Sequence, residues 1–176
     1  MASDTPYLTA LFPNRDSAER AYQGVVERGY GPGDIDVVMS DETRRQHFSA
    51  RSPQTELGTK AAEGAGIGAG VGGAVGAIAA AVAAAGTSLV LPGLGLVVAG
   101  PLAAAFAGAG AGGAAGGLVG ALIGWNIPEE RVKAYESGIR DGGILMGVRP
   151  RSETDASELA RRWEQARGEP AQRQPG

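Results

Sequence analysis

The sequence predicts an α+β fold in which a long Gly/Ala-rich helical hairpin interrupts a small α/β sandwich. Three observations support this prediction. No charged residue occurs in the 65 residues from Gly64 to Pro128, although the 176-residue chain carries 16 basic and 19 acidic residues. Nineteen of the 30 glycines lie in that stretch. The two charged ends alternate short apolar runs with amphipathic segments of helix length, so the mean hydropathy of −0.07 averages two different kinds of chain.

The first half of the sandwich, residues 1–60, is predicted as strand, helix, strand. A short apolar run from Tyr7 to Phe12 forms the first strand. Asn14 or Asp16 can cap the following helix, which Gly29 ends. Apolar residues alternate along the second strand, from Ile35 to Met39. Because a helix connects these strands, we expect them to run parallel.

Residues 61–127 are predicted to form the helical hairpin. A single straight helix over the uncharged stretch would be about 98 Å long, whereas a hydrocarbon core is about 30 Å thick. The chain must therefore fold back, and Pro92-Gly93 near the midpoint is the predicted turn. Pro101 suits the first turn of the returning helix. The apolar residues around the turn fit a tip that ends within the membrane or docks into a partner.

Glycines recur every four residues along each predicted leg, which places them on one stripe of a helix. A stripe without side chains allows close approach of a second helix, as in glycine-mediated association within membranes. Two alternatives are a Gly/Ala linker and a soluble helical core inside an oligomer. The predicted helix-packing residues are Gly64, Gly68, Gly72 and Gly76 in the first ladder, and Gly108, Gly112, Gly116, Gly120 and Gly124 in the second.

The second half of the sandwich is predicted to span residues 128–167. Pro128 opens a helix, Ile144 to Val148 form a strand, and Asp155 with Glu158 has the spacing of a capping box for the last helix. Together the two halves supply about 100 residues, enough for one ferredoxin-like α/β sandwich. Residues 168–176 are predicted to be a disordered tail.

Both polar ends lie on the same side of any membrane if the hairpin returns to one domain. No basic lead precedes the first apolar run, so no signal peptide is expected and the head should face the cytoplasm. The tryptophan at the end of the second leg suits a membrane interface, although ordinary packing explains it equally well. The basic residues before the first leg suit an anionic lipid surface, although a solvated loop explains them equally well. These residues are Trp125, Arg44, Arg45, Arg51 and Lys60.

Several classes of function are not supported by the composition or the motifs. The net charge of −3 does not favour nucleic-acid binding, and the absence of cysteine excludes disulfides and thiolate metal sites. Two GxGxxG matches, beginning at Gly68 and Gly108, lie inside the ladders and follow no strand. His47 is expected to be exposed, and the pairs Asp41-Glu42 and Glu129-Glu130 are expected at helix starts. We therefore predict no catalysis, cofactor or metal, and identify no small-molecule substrate.

The sequence resembles the heat-induced or general stress protein family of bacteria (YflT type). The resemblance extends from Tyr7 to Arg167 and implies a small stress-associated protein with a glycine-zipper segment and no established enzymatic activity. It implies, in other members, a further short strand at the end, which the sequence from Gly168 onward does not predict here. The matching segments are Leu11-Phe12, Gly29-Tyr30, Asp34-Ile35-Asp36-Val37-Val38, Pro92-Gly93-Leu94-Gly95, Ala99-Gly100-Pro101-Leu102, Gly116-Gly117-Leu118-Val119-Gly120, Ile127-Pro128-Glu129-Glu130-Arg131 and Gly142-Gly143-Ile144-Leu145.

These predictions define two hypotheses for function. In the first, a cytoplasmic head presents a glycine-zipper hairpin that inserts in the inner membrane and packs into homo-oligomers. In the second, the protein is a soluble cytoplasmic binding or regulatory module, with the hairpin as the core of an oligomer.

Overall fold

The computed structural model describes residues 7–48, 78, 89–91, 95–104, 127–167 and 172–173. These residues form an α+β domain with one antiparallel sheet in the order β3-β4-β2-β5-β1-β6. Strands β4, β2, β5 and β1 make up the central sheet, and the short β3 and β6 extend it at the two edges. The strands are β1 Leu8–Phe12, β2 Ile35–Ser40, β3 Leu89–Leu91, β4 Leu96–Ala99, β5 Ile144–Val148 and β6 Gln172–Arg173.

Four helices and three short helical turns belong to the described chain. The helices are α1 Arg15–Val26, α2 Asp41–Thr43, α3 Glu129–Arg140 and α4 Glu153–Arg167. A 3-10 turn, Pro32–Asp34, precedes β2, and a π-helical turn, Arg44–Phe48, continues α2. Residues 101–104 are helical and follow β4 directly. None of the described helices is both long and apolar enough to cross a bilayer.

The first half of the sandwich follows the sequence prediction closely. The Asn14 side chain accepts a hydrogen bond from the Ser17 amide at 2.9 Å and so caps α1. Gly29 has a φ of 83°, the left-handed conformation that glycine adopts readily after a helix. Both β1 and β2 pair antiparallel with β5, so they run parallel to each other with β5 between them. The predicted parallel arrangement is therefore confirmed.

In the second half, the strand and both helices are present, but the predicted cap of the last helix is wrong. Ser152 precedes α4, and its hydroxyl accepts a hydrogen bond from the Asp155 amide at 3.1 Å. Asp155 lies inside the first turn, where its carboxylate pairs with Arg28. Serine has the preferred side chain for a helix start, which leaves the aspartate free for this ion pair.

Each face of the sheet is covered by helices, so the domain has two apolar cores. On the first face, Phe12 of β1 contacts Trp163 of α4 edge to face, with ring centroids 5.6 Å apart, and α1 packs alongside. On the second face, α3 covers the other side of the same strands through Val132, Tyr135 and Ile139. Every residue of β5 is buried, as expected for a strand covered on both faces.

A pair of β-strands lies between the two predicted helical legs, which corrects the prediction at residues 89–91 and 96–99. The legs themselves lie outside the described residues, except for Ile78 and residues 101–104, which are helical. Strand β3 pairs with β4, and β4 pairs with β2 from Val37 opposite Ala99 to Ser40 opposite Leu96. All four residues of β4 are buried. The absence of charge in β4 therefore reflects burial within the sheet, where leucine and valine pack well.

The C-terminal tail also differs from the prediction, because it contributes a strand. Gln172 and Arg173 pair antiparallel with Thr9 and Leu8 of β1. The proline-containing, polar sequence gave no strand pattern. A strand of two residues is held by backbone hydrogen bonds to its neighbour. It is too short to show an alternation of apolar and polar residues, so sequence periodicity does not detect it.

Candidate functional site

Most of the predicted site residues lie outside the described residues. The residues for which this holds are both glycine ladders (Gly64, Gly68, Gly72, Gly76, Gly108, Gly112, Gly116, Gly120 and Gly124), the turn residues Pro92 and Gly93, and Trp125, Arg51 and Lys60. The structure describes the part of the head that flanks the two ladder-bearing stretches, residues 49–77 and 105–126. We take this attachment region as the candidate functional site.

Three predicted site residues are described, and all belong to the attachment region. Pro101 is the first residue of the helical turn after β4, as predicted. Arg44 and Arg45 both pair with Asp41 at the start of α2, with 3.0 Å between Arg44 Nη2 and an Asp41 oxygen. The Arg45 side chain is 66% exposed. One carboxylate thus holds both cations close to the head surface.

Asp36 on β2 is the principal polar contact between the sheet and residues 101–104. It is only 2% exposed, and one carboxylate oxygen accepts the Leu102 amide hydrogen at 2.6 Å. Its other oxygen accepts the Tyr7 hydroxyl. Leu102 and Ala103 are buried in the core beneath α3. A side chain of the sheet therefore satisfies an amide in the first turn of the helix, which would otherwise lack an acceptor.

Gly100 brings the chain close enough to β2 for this contact. It has a φ of 100°, which L side chains rarely adopt. A Cβ atom at this position would lie 2.2 Å from the Ile35 carbonyl oxygen and 2.9 Å from Oδ1 of Asp36. Glycine is required here both for its backbone conformation and for the close approach.

Tyr7 reaches Asp36 by lying across the neighbouring strand. Asp36 and Thr9 are both opposite Gly147 of β5. A Cβ at Gly147 would lie 2.5 Å from Cε1 of Tyr7, so the absent side chain makes room for the ring. Next to this row, the Thr9 hydroxyl is 3.1 Å from the Tyr135 hydroxyl of α3. A band of polar and small residues thus crosses strands β2, β5 and β1, and consists of Asp36, Gly147, Thr9 and Tyr7.

Burial changes the acidity of the groups in this band. It raises the pKa of Asp36, while the hydrogen bonds from Tyr7 and Leu102 and the charge of Arg149 oppose the rise. Burial, together with the Asp36 carboxylate, also raises the pKa of Tyr7 well above its ordinary value. Because no described cation lies within ion-pair distance of Asp36, desolvation has the larger effect.

A second attachment lies on the other face of the sheet. Ile78 is fully buried in the core that α1 and α4 form, and its amide donates to a Glu19 carboxylate oxygen at 3.2 Å. Phe48, the last described residue before it, is 7% exposed and belongs to the same core. The stretch of residues 49–77, which contains the first ladder, therefore has both ends in one core.

The described residues on either side of the second ladder lie in the core on the opposite face. Residues 105–126 lie between Ala103 and Ile127, which are 2% and 3% exposed and belong to the core beneath α3. Each ladder-bearing stretch consequently starts and ends in a single core. The described residues between the two predicted legs are β3 and β4, which belong to the sheet of the head.

A group of polar contacts joins α1 and α4, the two helices that surround Ile78 in the second attachment. Arg28, after α1, contacts both Asp155 and Glu158 of α4, and Tyr30 donates to Asp155 at 2.9 Å. The Arg28 hydrogen bond, followed by that of Tyr30, lowers the pKa of Asp155. The guanidinium group of Arg151 lies 4.2 Å above the Tyr30 ring. These contacts join α1 to α4.

The residues weighed for chemistry lie where the sequence predicted. His47 is exposed, with its ring 6.5 Å from that of Phe48. Asp41 and Glu42 are in the first turn of α2, and Glu129 and Glu130 in that of α3. Within the described part of the chain, no three potential metal ligands lie together. The attachment region holds backbone segments through carboxylate acceptors.

Sequence reasoning missed Asp36, Tyr7, Glu19 and Gly100. The usable signal was in β2, where Asp36 shares a face with Val38. An aspartate on the same strand face as an apolar side chain is covered only where hydrogen-bond partners meet it, and those partners are distant in the sequence. The positive φ of Gly100 and the long-range partner of Glu19 have no local signature. The chain matches no protein-family model, and neither curated proteins nor solved structures show significant similarity to it.

Proposed function

We propose that this protein is a non-enzymatic bacterial general stress protein. Its glycine ladders associate with the inner membrane and drive homo-oligomerisation, and its head domain faces the cytoplasm. The observation that carries the proposal is the attachment of each ladder-bearing stretch. The described residues that flank the two stretches, 49–77 and 105–126, lie in the cores of the head, so both stretches are attached to it at each end. Glycine repeats at four-residue spacing favour close backbone packing between helices.

We also infer that the head is a ferredoxin-like sandwich with an added hairpin. The order β2-β5-β1-β6 and the chain order β1-α1-β2, then β5-α4-β6, agree with that fold. Helices α1 and α4 on one face of the sheet further support it. The hairpin of β3 and β4 and helix α3 are then additions between its two halves.

The position of β3 and β4 in the sheet limits which part of the uncharged segment can contact a membrane. Since β4 is buried within the sheet, its apolar residues are not available to lipid. Membrane contact is assigned instead to the two ladder-bearing stretches, with Arg44 and Arg45 near the start of the first one. One observation favours the second candidate, a soluble oligomer core, because the burial of β4 already accounts for part of the apolar sequence.

Cell fractionation with an alkaline carbonate wash separates the two candidates. The full chain should remain in the membrane pellet after the wash, because integral apolar contacts resist carbonate while ionic contacts do not. Recovery in the soluble fraction before the wash would exclude the membrane proposal and leave the soluble oligomer. A peripheral protein of known behaviour serves as the control for the wash.

Substitution of Gly116 by leucine should reduce the size of the oligomer. A leucine in the ladder prevents two backbones from approaching closely. Multi-angle light scattering on the purified full chain should give a smaller mass for Gly116→Leu than for the unaltered protein. Ala115→Leu adds the same side chain one residue outside the ladder and should retain the larger mass. An unchanged mass for Gly116→Leu would contradict self-association through the ladder.

A further inference from the structure

Asp36 combines three features that rarely occur together in a structural carboxylate. It is 2% exposed, it accepts hydrogen bonds from two separate parts of the chain, and no described cation forms an ion pair with it. One of its partners, the Leu102 amide, belongs to the segment that leads into the second ladder. The other, Tyr7, precedes β1. The carboxylate therefore lies where three segments of the chain meet: β2, the residues before β1, and residues 100–104.

Burying a carboxylate without a counter-ion disfavours its charged form. The two hydrogen bonds recover part of the lost hydration, and the Arg149 charge adds a weaker attraction. If residues 100–104 separate from β2, water regains access to Asp36 and the ionised group is solvated. The separated state consequently accommodates the charge better than the docked state does.

The same geometry accommodates a protonated Asp36 without loss of hydrogen bonds. The Leu102 amide can still donate to Oδ1, and the acid hydroxyl can donate to the Tyr7 oxygen, because a phenol both donates and accepts. Protonation thus removes the buried charge and keeps both contacts. Protonation of Asp36 therefore stabilises the docked state relative to the separated state.

The groups that surround Asp36 allow this response to be assigned to one site. Tyr7 and Arg149 are the ionisable groups that act on it from the segments beside β1 and β5. Strand β4 and residues 100–104 carry no ionisable side chain. Helix α3 contributes Tyr135, whose hydroxyl contacts Thr9 rather than Asp36. Asp34, two residues before Asp36, is half exposed on the 3-10 turn.

We propose that Asp36 is a proton-responsive anchor: residues 100–104 dock most firmly on the sheet when its carboxyl group is protonated, and loosen when the proton leaves. The proposal goes beyond the function proposed above, because it concerns the head and holds whether or not the ladders self-associate. The direction follows from linkage. A group whose pKa is raised in the docked state stabilises that state below its ordinary value of 3.8 and loses the effect as the pH rises through the raised value.

Hydrogen exchange with mass spectrometry on the full chain tests this directly. The peptide that contains the Leu102 and Ala103 amides should be protected most at low pH, after correction for the intrinsic pH dependence of exchange. Its protection factor should fall as the pH rises, about tenfold for each unit by which docking raises the pKa of Asp36. Peptides from β5 provide the internal reference. A corrected protection factor that does not change with pH would overturn the proposal.

Variants distinguish Asp36 from other carboxylates. Asp36→Asn is uncharged and keeps an acceptor, so its peptide should stay protected at every pH. Asp141→Asn removes an exposed acid at the end of α3 and should leave the pH dependence intact. Persistence of the dependence in folded Asp36→Asn would overturn the proposal.

Tyr7→Phe supplies a second test in case Asp36→Asn does not fold. It removes a donor that favours the ionised carboxylate, so the transition should move to higher pH. A transition that stays at the wild-type pH in Tyr7→Phe would also overturn the proposal. Oligomer mass is measured on the same samples, so failure of the ladder proposal is seen separately.

Discussion

Replacing Gly100 by alanine should destabilise the head domain by about 3 kcal/mol or more. Two costs add at this position. A φ of 100° is unfavourable for any residue with a Cβ, by roughly 1 to 2 kcal/mol. The new methyl group would also lie 2.2 Å from the Ile35 carbonyl oxygen, and overpacking of this kind costs typically about 1 to 3 kcal/mol. The neighbour is backbone, so it cannot rotate away.

Two other glycines separate these costs. Gly95 has a φ of 63° and no described atom near its missing Cβ, so Gly95→Ala should show only the conformational cost. Gly33 has neither feature, and Gly33→Ala should be nearly neutral. Urea unfolding followed by the fluorescence of Trp163 measures all three, in a Trp125→Phe background where it is the remaining tryptophan. Equal losses for Gly100→Ala and Gly95→Ala would contradict the close approach.

Val98→Asp should prevent the head from folding or cost about 3 to 5 kcal/mol. Val98 is 0% exposed and packs in the core beneath α3, opposite Val38 on β2. An uncompensated charge at such a site has a cost of about that size. A helical tip remote from the head would give a different result, because a charge there would leave the unfolding of the head unchanged.

Val98→Ala is the matched control for this substitution. It removes two methyl groups and should cost roughly 2 kcal/mol through lost burial and a small cavity. The excess of Val98→Asp over Val98→Ala then measures the buried charge alone. Trp163 fluorescence in the Trp125→Phe background again reports the head. Wild-type stability in Val98→Asp would contradict the placement of β4 in the sheet.

The head could be predicted from the sequence because its elements carry local signals. Asn14, Gly29 and Pro128 mark helix boundaries through backbone preferences that act within one turn. The alternation in β2 and the apolar run in β5 identify strands by the same short-range logic. These features need no knowledge of distant partners, and the structure confirms them.

The midpoint of the uncharged segment could not be predicted in this way. Leu89–Leu91 and Leu96–Ala99 are short apolar runs, which suit a buried strand and a membrane helix equally well. The glycine periodicity on either side favoured helix, and Pro92-Gly93 is compatible with a turn between either kind of element. Pairing with β2 decided the outcome, and strand pairing is a long-range property. The Asp36–Leu102 contact depends on that pairing and was missed for the same reason.

The central structural claim is that the middle of the uncharged segment is part of the head's sheet. Disulfide crosslinking tests it directly, since the chain has no cysteine of its own. Val38 lies opposite Val98, and Met39 lies opposite Val97. These consecutive pairs include one hydrogen-bonded and one non-hydrogen-bonded position, so at least one should have geometry suitable for a disulfide.

The measurement is the yield of intramolecular crosslink in the full chain after mild oxidation. We expect Val38→Cys/Val98→Cys or Met39→Cys/Val97→Cys to crosslink efficiently within one chain. Val38→Cys/Leu96→Cys is the diagonal control, whose greater separation should keep its yield low. Absence of crosslinking in both direct pairs, in chains whose Trp163 fluorescence shows a folded head, would contradict the account.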